Sequence, residues 1–185
     1  HNLHIFANAP EKEIPDPNDS NVMYFAPGCH KPDEGSDGVF TIPSNTTVYL
    51  ASGAFLHGKL LCKNVENVRL IGRGYIMEPY RGIEIVFSKN IEIDGITIIN
   101  PTHYTIYGGQ SSGLKINNLK SFSCRGWSDG IDLMSCSDVT INDIFMRNSD
   151  DCIAIYGHRW DYYGDTRNYR VTNAILWADV AHPIN

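Results

Sequence analysis

Asn90-Ile91-Glu92-Ile93-Asp94-Gly95, followed at once by Ile96-Thr97-Ile98, is the stretch on which the architecture turns. Apolar and polar residues alternate with period two, and the apolar ones are β-branched, which signals a strand rather than a helix. The pattern recurs as Asn67-Val68-Arg69-Leu70-Ile71-Gly72, Gly113-Leu114-Lys115-Ile116-Asn117-Asn118, Asp138-Val139-Thr140-Ile141-Asn142-Asp143 and Asn168-Tyr169-Arg170-Val171-Thr172-Asn173. Each copy opens on a small polar residue or Gly, runs apolar-polar-apolar, and closes on a turn-like pair. The anchors Val68, Ile91, Leu114, Val139 and Tyr169 are spaced 23, 23, 25 and 30 residues apart.

A second strand register runs between the anchors, through Ile83-Glu84-Ile85, Tyr104-Thr105-Ile106, Ile131-Asp132-Leu133 and Ile153-Ala154-Ile155. Paired Asn-Gly hairpin turns are scarce, and no clear amphipathic run of about 12 residues exists to serve as the crossover helix of an α/β sheet. Leucine-rich repeats match the period but not the leucine spacing. Short strands with Asn, Asp and Gly corners at this period predict an all-β, right-handed parallel β-helix, a solenoid whose rungs stack about 4.8 Å apart. The pattern begins near Val39, with Phe40-Thr41-Ile42-Pro43 and Thr47-Val48-Tyr49-Leu50 as the first strands. Residues 1–38 read as an irregular N-terminal segment, a linker or cap, since Glu13-Ile14-Pro15-Asp16-Pro17-Asn18-Asp19-Ser20 is loop chemistry. Within it, His4-Ile5-Phe6-Ala7 and Val22-Met23-Tyr24-Phe25 are short strand candidates. Residues 39–185 form the β-helix domain, expected to be incomplete at its C-terminal end because Asn185 falls in mid-rung.

The chain has 185 residues and a formal net charge of −6, from 15 basic and 21 acidic side chains, with no basic run. That argues against a nucleic-acid partner, which demands clustered Lys and Arg. No apolar run approaches the length of a membrane span. The five cysteines, Cys29, Cys62, Cys124, Cys136 and Cys152, contain no CxxC pair, so they read as buried small hydrophobes rather than zinc ligands.

Aspartates concentrate in Ser128-Asp129-Gly130-Ile131-Asp132 and Asn148-Ser149-Asp150-Asp151-Cys152-Ile153. Aligning Ile131 with Ile153 stacks Asp129 on Asp151, and His182, two residues before Ile184, falls in the same column one rung later. Carboxylates packed together repel, so one retains its proton while its neighbours ionise, a division that suits glycoside hydrolysis. Adjacent strand residues point to opposite faces, so Asp150 and Asp151 reach one cleft only if the backbone bends near Asn148-Ser149. Isolated aspartates such as Asp94, Asp138 and Asp143 read as corner residues. A calcium site is an alternative use of such a cluster. No metal or other cofactor is expected.

Trp127-Ser128-Asp129-Gly130-Ile131-Asp132, then Asn148-Ser149-Asp150-Asp151-Cys152-Ile153-Ala154-Ile155, with Asn100-Pro101-Thr102-His103-Tyr104 upstream, resembles the polygalacturonase family, glycoside hydrolase family 28, of the pectate-lyase-like β-helix superfamily. The resemblance implies an inverting hydrolase of a pectin-type polysaccharide. Asp150 would be the general acid, with Asp129 and Asp151 holding and activating water, and His182 beside them. Inverting enzymes space their carboxyls about 6.5–9.5 Å apart, a span that one rung and a diagonal step can supply. The family's Gly-His-Gly stands here as Ala181-His182-Pro183, and its Arg-x-Lys motif, which grips a uronate carboxylate, would lie beyond Asn185. Ile175-Leu176-Trp177-Ala178-Asp179-Val180-Ala181-His182-Pro183-Ile184 and Phe25-Ala26-Pro27-Gly28 are similar to family 49, which includes dextranases, so a neutral glucan stays open. A non-catalytic carbohydrate-binding β-helix and a β-helix lyase are the other readings. His103, Tyr104, Tyr156, His158, Arg159 and Trp160 are candidate sugar contacts, against the plainer reading that aromatics fill cores. Residues 157–168 lengthen their rung and form a candidate cleft wall. A monomer with a polysaccharide partner, extracellular or periplasmic, completes the expectation.

Overall fold

Every ladder between strands is parallel in the computed structural model, which describes residues 3–11 and 13–185. The chain winds through β1 (Val22–Phe25), β2 (Gly28–His30) and β3 (Val39–Thr41), then β4 (Thr47–Leu50), β5 (Ala54–Leu56) and β6 (Lys59–Lys63). The third coil holds β7 (Glu66–Gly72), β8 (Tyr75–Met77) and β9 (Ile83–Val86), and the fourth β10 (Lys89–Asp94), β11 (Thr97–Ile99) and β12 (Ile106–Gly109). The fifth holds β13 (Ser112–Asn117), β14 (Lys120–Phe122) and β15 (Ile131–Met134). In the sixth, β16 (Ser137–Asn148) spans two faces before β17 (Ile153–Tyr156), and β18 (Arg167–Ala178) lies on β16. The result is the right-handed parallel β-helix, of about six turns. Its faces are β1-β4-β7-β10-β13-β16, β2-β5-β8-β11-β14-β16 and β3-β6-β9-β12-β15-β17.

The five anchors stand in one column, paired directly from Val68 through Ile91, Leu114 and Val139 to Tyr169. The first four are buried in the central core with Ile93, Ile116 and Ile141. The small polar residue that opens each repeat has a mechanical reason. Asn67, Asn90, Gly113, Asp138 and Asn168 all take positive φ, between 54° and 69°. Asn, Asp and Gly tolerate this left-handed corner, and β-branched residues do not. The side chains then bond along the axis: Asn67 Nδ2 donates to Asn45 Oδ1 at 3.0 Å, and Asn168 Nδ2 to Asp138 Oδ1 at 2.7 Å. A second ladder runs from Asn142 Nδ2 to Asn117 Oδ1 at 2.8 Å and from Asn117 Nδ2 to Asp94 Oδ2 at 2.6 Å. Asp138 and Asp143 take the left-handed corners expected of them, whereas Asp94 ends β10 and bonds Arg73 and Asn117.

The solenoid starts earlier than the expected boundary at Val39. β1 and β2 already pair in register with β4 and β5. Their three or four residues are only partly covered or exposed, so the alternation that marks the later strands is weak there. Residues 3–11 and 13 do not close an end of the helix. They lie lengthwise against its outside: His4 and Phe6 pack on Phe145 at ring separations of 5.1 Å, Glu11 accepts from Tyr49 Oη at 3.0 Å, and Glu13 pairs with Arg69 at 3.2 Å. A cavity of about 600 Å³ lies under this strap, away from the aspartates. His4-Ile5-Phe6-Ala7 is not a strand. All five cysteines are free; Cys62, Cys136 and Cys152 are buried as expected, whereas Cys29 and Cys124 are exposed.

Candidate active site

On the third face, Ile106, Ile131 and Ile153 stand in register and Ile184 bridges Ile153. Main-chain bonds just ahead of them fix the columns: Gly130 N donates to Asp151 O at 2.7 Å and Cys152 N to His182 O at 2.9 Å. Asp129, Asp151 and His182 therefore stack as the alignment requires. The backbone bends at Ser149 and Asp150, between β16 and β17, which swings Asp150 onto the side of its neighbour. Asp129, Asp150 and Asp151 each contribute a carboxylate oxygen to a cluster in which all three lie within 4.8 Å of one another. These are separations between single oxygens, shorter than the roughly 6.5–9.5 Å between whole carboxyl groups, because the stack crosses one rung straight on and the bend brings the third group in without a diagonal step.

The bend is held from inside. Asn148, fully buried, aims its Nδ2 at Thr105 Oγ1, Ser121 Oγ, Ser123 Oγ and the Ser128 carbonyl, at 3.1–3.3 Å. Ser128 bonds Ser123 at 2.8 Å and Ser149 at 3.0 Å, and Ser149 Oγ donates to the Arg125 carbonyl. This hydroxyl nest links three consecutive rungs beneath the aspartates. In the sequence Ser121 and Ser123 carry no signal beyond being small polar residues, and Thr105, expected as the middle of a strand, lies just before β12. At Gly130 the neighbouring rung passes so close that a Cβ would lie 2.1 Å from the Cys152 carbonyl oxygen.

The three carboxyls differ in surroundings. Asp151 is buried and saturated: Oδ1 accepts from the His182 main-chain N–H at 2.9 Å and lies 3.2 Å from His182 Nδ1, and Oδ2 accepts from Asn185 Nδ2 at 2.7 Å. Asp150, partly exposed, caps the Asp151 N–H at 3.0 Å. Asp129 is buried; that burial, then the charges of Asp150 and Asp151, push it up to about 7. The cluster thus keeps a proton near neutral pH, held at Asp129. Asp132, next to this site and fully buried, has neither oxygen hydrogen-bonded. Burial, then Asp129, push it up to about 9. As a hard-cation site the trio offers three carboxylates, one of them already bonded to His182 and Asn185, against the six to eight oxygens that calcium takes.

The aromatic candidates divide. Tyr104 is buried, stacked at 10° on Tyr107 and at 17° on Trp160, so it builds the groove wall. The loop of residues 157–166 folds back over β12, with Tyr162 5.8 Å from Tyr107. Arg159 lies 4.3 Å over the Tyr156 ring. His103, between Tyr80 and Tyr104, has a buried Nδ1 without a partner. His158 is committed within its own loop, stacked 4.1 Å from Tyr163 and 3.3 Å from the Trp160 carbonyl. Trp127, in the left-handed corner before Asp129, is 76% exposed and offers a free ring face beside the cluster.

Residues 76–162 match the family described as Glycosyl hydrolases family 28. Over that stretch the chain is similar to family 28. A probable polygalacturonase of Vitis vinifera is 30% identical over 88 residues, which are 46% of this chain and 18% of that protein. A polygalacturonase of Chamaecyparis obtusa is 32% identical over 75 residues, 40% of this chain and 15% of that protein. The aligned stretches thus span less than a fifth of these relatives. A crystal structure titled as a putative glycosyl hydrolase from Parabacteroides merdae superposes with a TM-score of 0.69, covering 88% of this chain and 80% of that one, at 13% identity. This last likeness concerns the fold alone. The family 28 match takes in Asp129, Asp150 and Asp151 and stops before His182.

Proposed function

We propose that the protein is a glycoside hydrolase that cuts an acidic, pectin-type polysaccharide with inversion at the anomeric carbon. The supporting observation is the convergence of Asp129, Asp150 and Asp151 at one corner of the third face. Asp150 is the most exposed of the three and stands as general acid toward the leaving oxygen. Asp129 and Asp151 hold the water that attacks from the other side of the sugar. The proton held by Asp129 in the free protein passes to Asp150 across the cluster when substrate excludes water. Asp151 favours inversion over a covalent route: with both oxygens already bonded it is a poor nucleophile but a rigid anchor for water. The polygalacturonase relatives support the acidic substrate. A polymer of that kind is met outside the cytoplasm, which supports an extracellular or periplasmic setting. His182, through Asp151, serves as a positioning residue.

The test compares Asp150→Asn and Asp129→Asn on polygalacturonate and on a glycoside with an activated phenolate leaving group. Loss of the acid is rescued by a leaving group that needs no proton, so Asp150→Asn recovers on the second substrate and Asp129→Asn does not. NMR of the first-formed anomer reads inversion or retention. Hydrolysis undiminished in Asp150→Asn would overturn the assignment, and an unsaturated, ultraviolet-absorbing product would make the protein a lyase. Turnover of dextran but not polygalacturonate would transfer the reading to a neutral glucan.

A further inference from the structure

The column that carries the aspartates continues beyond them. Gly82 N donates to Tyr104 O at 3.0 Å and Thr105 N to Asp129 O at 2.9 Å, repeating the bonds that join Asp129 to Asp151 and Asp151 to His182. With Ile83 paired to Ile106, the residues two places before the third-face strands are Arg81, Tyr104, Asp129, Asp151 and His182. Arg81 stands two rungs from Asp129, about 10 Å along the axis.

Its guanidinium is prepared for an anion it does not yet hold. It lies 4.1 Å over the Tyr107 ring and 5.9 Å from the Tyr104 and Trp160 rings, which fix the plane of the fork. Its one ion pair is long, 3.4 Å to Glu84 Oε1, and the other oxygen of Glu84 is taken by Lys59 at 2.6 Å. Two cations therefore share one carboxylate. Arg81 Nε is buried without a hydrogen-bond partner, as is the neighbouring His103 Nδ1. In a chain of net charge −6 this corner of the groove is locally cationic.

Resting on the hydrolase reading above, we propose that Arg81 is a specificity-determining residue that binds the carboxylate of an acidic sugar about two units from the bond being cut. A stacked, pre-oriented guanidinium recognises a carboxylate in a way that a methyl ester or a neutral hydroxymethyl group cannot reproduce. Tyr104, lying between Arg81 and Asp129 in the column, is buried beneath Trp160, whose partly exposed ring provides the wall along which the intervening sugars run.

Kinetics of Arg81→Gln and Arg81→Lys on oligogalacturonates, free and fully methyl-esterified, test the assignment, with Tm recorded for each variant. Arg81→Gln is expected to raise KM on the free acid tenfold or more, with kcat and the KM for the ester unchanged. Arg81→Lys should restore part of the acid preference. Oligomers too short to span two rungs should show no difference between variant and parent. An equal rise on acid and ester, or no rise on either, would overturn the proposal. If the parent protein cleaves neither glycan, the hydrolase reading fails separately. Calorimetric titration with oligogalacturonate then decides for Arg81: affinity lost in Arg81→Gln supports the subsite, and equal or absent binding in both proteins overturns it.

Discussion

Asp132→Asn should remove a large part of the dependence of stability on pH. The Asp132 carboxyl is fully buried and neither oxygen has a hydrogen-bond partner. An ionised carboxylate is very costly in such a place, so the fold keeps it neutral, with its pKa up at about 9 against 3.8 for the ordinary group. Between those values the folded protein binds one proton that the unfolded chain has released. Stability associated with this group is therefore fully present below pH 4 and is lost as pH rises through 9. One proton of difference is worth about 1.4 kcal/mol per pH unit, so from pH 5.5 to 7.5 the parent loses about 3 kcal/mol through Asp132. At this chain length that corresponds to roughly 5–10 °C in Tm. Asn has nearly the same shape and does not titrate, so the difference in Tm between variant and parent should widen steadily across that window. Calorimetric scans of both proteins at half-unit pH steps measure it. Parallel curves would show that Asp132 is ionised in the fold, and the reasoning from its missing partners would fail. Asp129 slopes in the same direction up to about 7 and remains in both proteins, so it cancels in the difference.

Asn148→Ala should lower stability by about 2–3 kcal/mol in denaturant titration, because it leaves a cluster of buried hydroxyls short of a donor, and kcat should fall as the bend under Asp150 relaxes. Gly130→Ala should be destabilising and inactive while circular dichroism stays that of a β-rich chain, since its Cβ would meet the Cys152 carbonyl oxygen at 2.1 Å and force two rungs apart. His182→Gln should change Tm by under about 1 kcal/mol equivalent, as expected for an exposed side chain, while lowering kcat more than it changes KM; the main-chain N–H of residue 182 still holds Asp151.

The repeat made the fold legible because each rung imposes the same steric demands. A corner at positive φ selects Asn67, Asn90, Gly113, Asp138 and Asn168 whatever else the rung does, and the inward positions demand apolar side chains. The alignment of Asp129, Asp151 and His182 followed from the same register. Three things were less accessible. The strands at Val22–Phe25 and Gly28–His30 are too short and too exposed to show alternation. The strap of residues 3–11 and 13 depends on contacts with Phe145, Tyr49 and Arg69, more than thirty residues away in sequence. The proton preference of Asp129 and the isolation of Asp132 arise from burial by neighbouring rungs and the 157–166 loop, and burial of a polar side chain leaves no mark in a local pattern.

Departures from periodicity account for the chemistry better than the periodicity does. A perfect solenoid can stack only one carboxylate per rung in a column, about 4.8 Å from the next. Two such groups can polarise a water, but neither is offset enough to protonate a leaving oxygen on the opposite side of a sugar. The bend at Ser149 and Asp150 supplies the third group out of column. Its cost is visible in the hydroxyl nest around Asn148, which replaces apolar core where the backbone leaves the regular path. The loop of residues 157–166, the other departure, covers Tyr104 and Tyr107 and thereby fixes the aromatic bed on which Arg81 lies. The regular rungs set distances along the groove in steps of about 4.8 Å, and the two irregular segments position Asp150, the proposed proton donor, and the wall. A deletion that shortened the 157–166 loop to the length of the other corners should therefore leave the solenoid folded and the aspartate column in register while releasing Arg81 from its stacked orientation.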